Sequence, residues 1–432
     1  MVTDGCFFRT IKSHAINYLC GMQYDLAVVG GGAAGFFAAV NAARLQPGLR
    51  VVVLEQSNQF LAKVRISGGG RCNVTHACFD PAELVKFYPR GARELRQLFA
   101  RFSTGDTVAW FEDRGVKLKA EADGRMFPVT DSSQTIIDCL LREAQKFGVE
   151  LRLQHDVVAL AAKDYGWQLE MRKAEPIKTK KVLLATGGHP KLSGYDWLAE
   201  LGLKIVPPVP SLFTFNLPND PIRELMGVSV PQARIRLPEQ KKEHSGPLLI
   251  THWGLSGPAI IKLSALVARE LQACNYHFRV LVNWLPDEDA EGLRALFEDY
   301  RQYAGAAQIA NRFEVALPQR LKLHLLQMAG IQSEQRWSEV NNKQINRLIE
   351  LLLNQEFKAA GKTTFKEEFV TSGGVARDQI DFRTMECKSL PGLYIAGELL
   401  DIDALTGGFN FQAAWSAGFA VAKAMVVQPA AS

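Results

Sequence analysis

Residues 24–55 read YDLAVVGGGAAGFFAAVNAARLQPGLRVVVLE, and this stretch decides the fold. Tyr24–Val29 is an apolar run of strand character. It enters Gly30-Gly31-Gly32-Ala33-Ala34-Gly35 and then a helical pattern rich in Ala and Phe, Phe36–Leu45. A second apolar run, Arg50–Leu54, stops at Glu55. Strand, tight turn, helix and strand in that order open a parallel α/β sheet. Gly30-x-Gly32-x-x-Gly35 is the spacing that a dinucleotide requires. The first glycine makes the turn, the second lets a pyrophosphate approach the backbone, and the third lets helix and strand pack closely. The helix N-terminus adds N–H groups and a partial positive charge, so Ala33 and Ala34 join the candidate contacts. Glu55, with Gln56 beside it, stands where an acid holds the adenosine ribose hydroxyls.

Further along, Ser67-Gly68-Gly69-Gly70-Arg71-Cys72-Asn73 is a glycine-rich loop. Consecutive glycines let backbone come close to a flat or phosphorylated ligand, which makes Ser67, Gly69 and Asn73 candidate contacts. Arg71 and Lys63 are candidate pyrophosphate ligands. Cys72 is a candidate acid or thiolate, with a small packed core residue as the competing reading. Helical patterns cover about Glu83–Phe102 and Ser132–Phe147, the latter capped by Asp131 or Ser132. Val149–Gln154, Val157–Ala161 and Lys181–Ala185 read as strands, and Val157 is a candidate cofactor contact. Thr186-Gly187-Gly188 follows the last of them.

Prolines 207, 208 and 210 mark a boundary. Beyond it, Leu212–Leu285 reads as β-rich and Asp287 to about Lys358 as helical. The chain then returns to the first fold, with a strand at Gly392–Ala396, Gly397-Glu398, and Gly407-Gly408-Phe409-Asn410 opening a helix over Phe411–Met425. The domains expected are a disordered leader (1–23), a dinucleotide domain (24–203 with 367–432), a β-rich insert (204–286, extended by 359–366) and a helical insert (287–358).

Composition fits this plan. The 432 residues suit two or three domains. A hydrophobic fraction of 47% and a net charge of +5 are those of an ordinary globular protein. Residues 204–366 hold 20 basic against 16 acidic side chains, a weak basic excess that includes Lys241-Lys242 and Arg320-Leu321-Lys322. The seven cysteines (6, 20, 72, 78, 139, 274 and 387) are odd in number and form no CxxC pair. A disulfide framework and a metal site are therefore not expected, and a reducing cytoplasm is. No apolar run reaches membrane-spanning length, so no membrane partner is expected. Met22 directly precedes the first strand and is the expected true start.

Three features favour FAD over NAD. They are Thr186–Gly188 after one strand, Gly397-Glu398 after another, and the Gly408–Asn410 helix start, which suits the electron-rich edge of a reduced flavin. No second GxGxxG is present to take NADH or NADPH, which leaves the electron donor open. In the insert, Thr251-His252-Trp253-Gly254-Leu255-Ser256-Gly257-Pro258 places His252 beside a tight turn as a candidate proton donor. A satisfied turn histidine is the competing reading.

The fingerprint with Glu55, SGGGRCN followed by Val74-Thr75, the Thr186–Gly188 turn, the run at 251–258, Thr371-Ser372-Gly373-Gly374-Val375, and Gly397-Glu398 leading to Gly407–Gln412 carry a family resemblance. Over roughly residues 24–425 the chain resembles bacterial FAD-dependent oxidoreductases that include bile-acid double-bond reductases and ribosomal-RNA dihydrouridine synthases. The resemblance implies a two-dinucleotide-type Rossmann-like FAD domain of α/β class, split by a β-rich and a small helical insert. It also implies FAD with NADH or NADPH as donor. The reaction it implies is reduction of a carbonyl-conjugated C=C bond by hydride from flavin N5, with Cys72 and His252 as the proton-donor candidates. Uridine in ribosomal RNA is the leading substrate. A small-molecule enone reductase or amine oxidase and a non-enzymatic FAD-dependent assembly protein are the alternatives. The chain departs from the family pattern at Ala62-Lys63-Val64-Arg65, at Glu398 in place of aspartate, and at a shortened Gly194-Tyr195-Asp196.

Overall fold

In the computed structural model, the structure describes residues 23–363 and 370–426. The expected leader (Gln23 excepted), the Met22 start, Cys6, Cys20 and residues 364–366 of the β-rich insert lie outside the described residues. The chain divides into two compact units, one reaching Pro208 and resuming at Gly373, the other Val209–Ser372.

In the first unit β1 (Gln23–Val29), α1 (Ala33–Leu45) and β2 (Val51–Glu55) follow the fingerprint directly. Then come α2 (Ala62–Gly70), α3 (Ala92–Phe99) and α4 (Ser133–Lys146). β3 (Glu150–Leu153), β4 (Val157–Lys163), β5 (Gly166–Met171) and β6 (Ile177–Leu184) complete the N-terminal part. After the insert, β7 (Ile380–Asp381), β8 (Glu386–Cys387), β9 (Leu393–Ile395) and α5 (Phe409–Met425) return to the same sheet.

That sheet has nine strands, in the order β7-β8-β9-β6-β1-β2-β3, with the β4–β5 hairpin joined through β6. β9, β6, β1, β2 and β3 are mutually parallel. Val51–Leu54 and Leu26–Val29 are buried on both faces, as a sheet covered by helices requires. α1 is buried from Ala34 to Ala43. It crosses α5 closely, because a Cβ at Gly418 would stand 2.7 Å from Ala34 O. A small three-stranded sheet joins Thr75–His76, Arg125–Pro128 and Leu118–Ala120.

The second unit has its own core around Trp284, Phe297 and Trp337. Its seven-stranded antiparallel sheet runs Gln355–Ala360, His277–Asn283, Ser229–Leu237, Lys242–Thr251, Gly254–Ser256, Thr214–Asn216, Lys362–Thr363. Helices Ala290–Tyr303, Gln319–Met328 and Asn342–Asn354 share that core.

Two expectations need correction. The helix read over Glu83–Phe102 is broken into Pro81–Leu84, a 3-10 turn at Val85–Phe87, and α3, with Pro89 and a left-handed Gly91 (φ 90°) between them. The β-rich stretch also contains two helices, Pro258–Leu266 and Ala268–Ala273, started by Pro258 at the first helical position. The boundary read at prolines 207, 208 and 210 is where the chain divides, after Pro208. These prolines lie within a strand, Ile205–Ser211, that pairs with Val370–Val375 in a two-stranded sheet, where proline is tolerated.

Candidate functional site

Because β9, β6, β1 and β2 are adjacent and parallel, their carboxyl ends share one edge of the sheet. The segments leaving that edge are Gly397-Glu398, Thr186-Gly187-Gly188, Gly30–Gly32 and Glu55-Gln56. Open α/β sheets bind ligands at this edge. The segment ahead of Val157 is held to the Glu55 turn by Gln154 N donating to Ser57 O (3.0 Å) and His155 N to Glu55 O (2.9 Å).

The three fingerprint glycines have distinct environments. Gly30 is left-handed (φ 109°), and a Cβ there would lie 2.4 Å from Ala185 O. At Gly35 a Cβ would lie 2.1 Å from Gly30 O. Both positions are therefore closed to any side chain. Around a Cβ at Gly32, by contrast, no described atom lies within 4 Å. The helix starts there with no side-chain cap. Open space above uncapped N–H groups is what a pyrophosphate needs, so the residues fit a dinucleotide. Ala33 is half-buried beside that space, while Ala34 is buried beneath it. Glu55 is anchored: its carboxylate oxygens accept from Gly31 N (2.8 Å) and Ser57 N (2.9 Å). Each oxygen keeps a lone pair for a hydroxyl. Gln56 is exposed.

Gly397 is left-handed (φ 75°), and a Cβ there would meet Ala34 Cβ at 3.0 Å. The next residue, Glu398, pairs with Lys63 Nζ at 2.6 Å, so these two candidates are partners of each other. Tyr195 lies beside them: its hydroxyl accepts from His189 N (2.8 Å). Burial pushes that phenol up, and the Glu398 charge adds to the rise. Thr186 and His189 are exposed, and Gly187 and Gly188 half-buried.

The glycine-rich loop is a left-handed turn at the end of α2. Gly68, Gly69 and Gly70 have φ of 57°, 69° and 84°, conformations that glycine adopts without strain. Ser67 fastens the loop, its Oγ donating to Val64 O (2.9 Å) and its carbonyl accepting from Cys72 N (2.9 Å). The Arg71 guanidinium pairs with Glu121 (2.5 Å) and Asp131 (3.6 Å) and lies 4.0 Å over the Phe127 ring. Cys72 is fully buried, as its reading as a small packed residue requires, and burial pushes the thiol up to about 12. Asn73, oriented by its neighbours, donates to Thr75 O and accepts from Gly408 N, each at 3.0 Å.

Gly408 N thus ties the loop to the start of α5. Gly408 is left-handed (φ 91°), a Cβ there would lie 2.5 Å from Thr75 O, and α5 begins without a side-chain cap. Gly407 is buried. Asn410 Oδ1 accepts from Ala404 N (3.0 Å), closing the turn ahead of the helix. Phe409 is buried, stacked on Phe87 (4.3 Å) and His76 (4.5 Å), and its carbonyl accepts from Tyr88 OH (2.6 Å). It braces the helix start. Arg90 makes a two-pronged ion pair with the fully buried Asp403. Sequence reasoning missed Arg90, Asp403 and His76. The one available signal was two acids, Asp401 and Asp403, inside an apolar stretch between two glycine turns.

His252 belongs to the second unit. It is exposed at the turn between Lys242–Thr251 and Gly254–Ser256, 3.7 Å from the Trp253 ring, and its carbonyl accepts from Arg223 Nε (2.6 Å).

A family model described as HI0933-like protein Rossmann domain matches residues 24–424. A ribosomal RNA dihydrouridine synthase of Escherichia coli K12 is 31% identical over 418 residues, covering 94% of this chain and 98% of its own. A 3-dehydro-bile acid delta(4,6)-reductase of Clostridium scindens is 26% identical over 412 residues, covering 94% and 99%. Among solved structures, the open conformation of a flavocytochrome c3 fumarate reductase aligns over 98% of this chain and 82% of its own, at 18% identity and a TM-score of 0.47.

Proposed function

The chain belongs to the HI0933-like family and is an FAD-dependent oxidoreductase, and from that premise we propose that it reduces a carbonyl-conjugated C=C bond, with uridine in large-subunit ribosomal RNA as the substrate. The observation that carries this reading is the end-to-end likeness to a ribosomal RNA dihydrouridine synthase at 31% identity. A small-molecule enone is the second reading, favoured by the equally complete likeness to a bile-acid reductase at 26%.

FAD, reduced in turn by NADH or NADPH, supplies the hydride. The protein's part is to hold and to polarise. Gly30, Gly32 and the α1 N-terminus take the pyrophosphate, and Glu55 takes the ribose hydroxyls. Ser67, Gly69 and Asn73, Val157, Thr186–Gly188, Gly397-Glu398 and Gly407-Gly408 line the remainder of the cofactor's path. The uncapped first turn of α5 offers donors to negative charge, an effect worth roughly 1 kcal/mol. Of the two proton-donor candidates, Cys72 is buried in the core of the first unit and His252 is exposed on the second. Among the described residues no helix is long and apolar enough to cross a membrane. Ribosomal RNA as substrate puts the enzyme in the cytoplasm.

Mass spectrometry of ribosomal RNA from wild-type and deletion cells tests the reading. The expected result is a dihydrouridine that disappears on deletion, returns with the intact gene and does not return with Gly32→Ala. An unchanged modification map overturns the RNA substrate and leaves the small-molecule reductase.

A further inference from the structure

The first unit carries a cavity of about 670 Å³ that none of the strand-end turns lines. It is bounded by α3, by the strand around Lys204 and Val206, and by the segment from Ala376 to Arg383. Its lining holds five cations, Arg93, Lys204, Arg377, Arg383 and Lys388, against four acids, Glu94, Asp378, Asp381 and Asp401.

These charges are arranged in two layers. Deep in the cavity, Arg377 is held between Glu94 and Asp401, at 3.4 Å from each, and those carboxylates are only 14% and 8% exposed. That layer is neutralised and fixed. The outer layer stands in water: the side chains of Arg93, Lys204 and Arg383 are 91%, 71% and 69% exposed, and Lys388 is exposed too. Their acid partners are Glu94 for Arg93 (3.0 Å), Asp378 for Lys204 (3.9 Å) and Asp381 for Arg383 (2.8 Å), each pair with its cation standing in water. Exposed ion pairs are weak and yield readily to a stronger anion.

We infer that this cavity is a docking site for the phosphodiester backbone of RNA, held by Arg93, Lys204, Arg383 and Lys388; the inference rests on the RNA substrate proposed above. A compact ligand is gripped by enclosing walls. Here the cations project from the rim, a layout that tracks a backbone passing over the surface. The lining aromatic, Phe382, is 5% exposed and offers no face for base stacking. The contacts are therefore to phosphates, and they position the RNA without reading its sequence.

The test measures binding of a hairpin of large-subunit ribosomal RNA to the flavin-loaded protein across a salt series. The variant carries Arg93→Gln, Lys204→Gln, Arg383→Gln and Lys388→Gln. A pair variant, Arg93→Gln with Lys204→Gln, spares the local bonds of Arg383 and Lys388. The control replaces Lys163, Arg172, Lys173 and Lys178 by Gln, all exposed cations on or next to β4–β6. The expected result is affinity at least about tenfold weaker at low salt for the fourfold variant, with a log–log salt slope flatter by about 3. The pair variant shows about half that change in slope, flavin content is unchanged, and the control stays close to wild type. Wild-type binding by the fourfold variant, or an equal loss in the control, overturns the inference alone. So does a variant that keeps RNA binding but loses reduction by NADPH, which marks a nucleotide site instead. Absence of salt-sensitive RNA binding by the wild-type protein overturns the RNA substrate, and this site with it.

Discussion

Lys63 and Glu398, 335 residues apart in the chain, meet in an ion pair of 2.6 Å. The pair ties the start of α2 to the turn after β9. Lys63 is half exposed, so the pair contributes at most about 1 kcal/mol to stability. Its larger effect is on the cofactor edge. Lys63→Ala is expected to leave thermal unfolding nearly unchanged while the fraction of protein purified with flavin drops severalfold. Equal flavin content, read from the absorbance of the purified protein, removes this pair from the cofactor site.

Gly32 and Gly35 separate folding from binding. At Gly32→Ala the new methyl meets open space, and the cost to the protein is that of a poorer helix cap, about 1 kcal/mol. Flavin binding is expected to be lost all the same. Gly35→Ala drives a Cβ to 2.1 Å from Gly30 O and is expected to abolish the fold itself. Circular dichroism and flavin fluorescence on both variants distinguish the two outcomes.

Cys72 is expected to behave as a core residue. With its thiol pushed up to about 12 by burial, it resists alkylation in the native protein at neutral pH. Cys72→Ala is expected to keep turnover within about threefold and to cost about 1 kcal/mol of stability. A loss of turnover of a hundredfold or more, with flavin retained, restores it as a proton donor.

Asp403 has the opposite character. Its removal as Asp403→Asn takes a fully buried carboxylate from the Arg90 guanidinium, a change costing about 3–5 kcal/mol. The loop that leads into α5 loosens with it. Denaturant unfolding is expected to show that loss, and hydrogen exchange is expected to rise over 400–410 before other parts of the first unit.

Alkaline stability follows from two tyrosines. Burial, reinforced by Glu150, raises Tyr24 from 10.0 to about 12, and burial, reinforced by Glu386, raises Tyr394 from 10.0 to about 12. Both phenols are neutral in the folded state. Their contribution is therefore complete below pH 10 and is lost as the pH climbs from 10 to 12. Tyr24→Phe is expected to reduce that loss. A phenolate titration of the native protein with every tyrosine near 10 contradicts this account.

Much of the first unit is legible in the sequence because sterics fix it. Gly30 and Gly35 admit no side chain, and the cap at Ser132 starts α4 where the sequence places it. Helix and strand types fail where one residue overrides a pattern. Pro89 and Gly91 break an otherwise helical run, and Gly257-Pro258 starts a helix inside a stretch whose alternation reads as strand. The pairings Lys63–Glu398 and Arg90–Asp403 have no local signature. They exist because β9 is laid against β6, a neighbour chosen by the whole sheet and not by either residue's surroundings. The two readings of Cys72 stay open in the sequence for the same reason, since burial is a tertiary property.

The order of strands also sets a timetable for biosynthesis. β1 and β2 leave the ribosome before β9 and α5, with the entire second unit translated between them. Lys63 waits for Glu398 through 335 residues of elongation. The nascent chain presents an incomplete sheet edge throughout that interval, and the strand-end turns are complete only once the start of α5 has been made. A chain interrupted ahead of β9 carries its fingerprint intact and lacks both the Gly397-Glu398 turn and the start of α5.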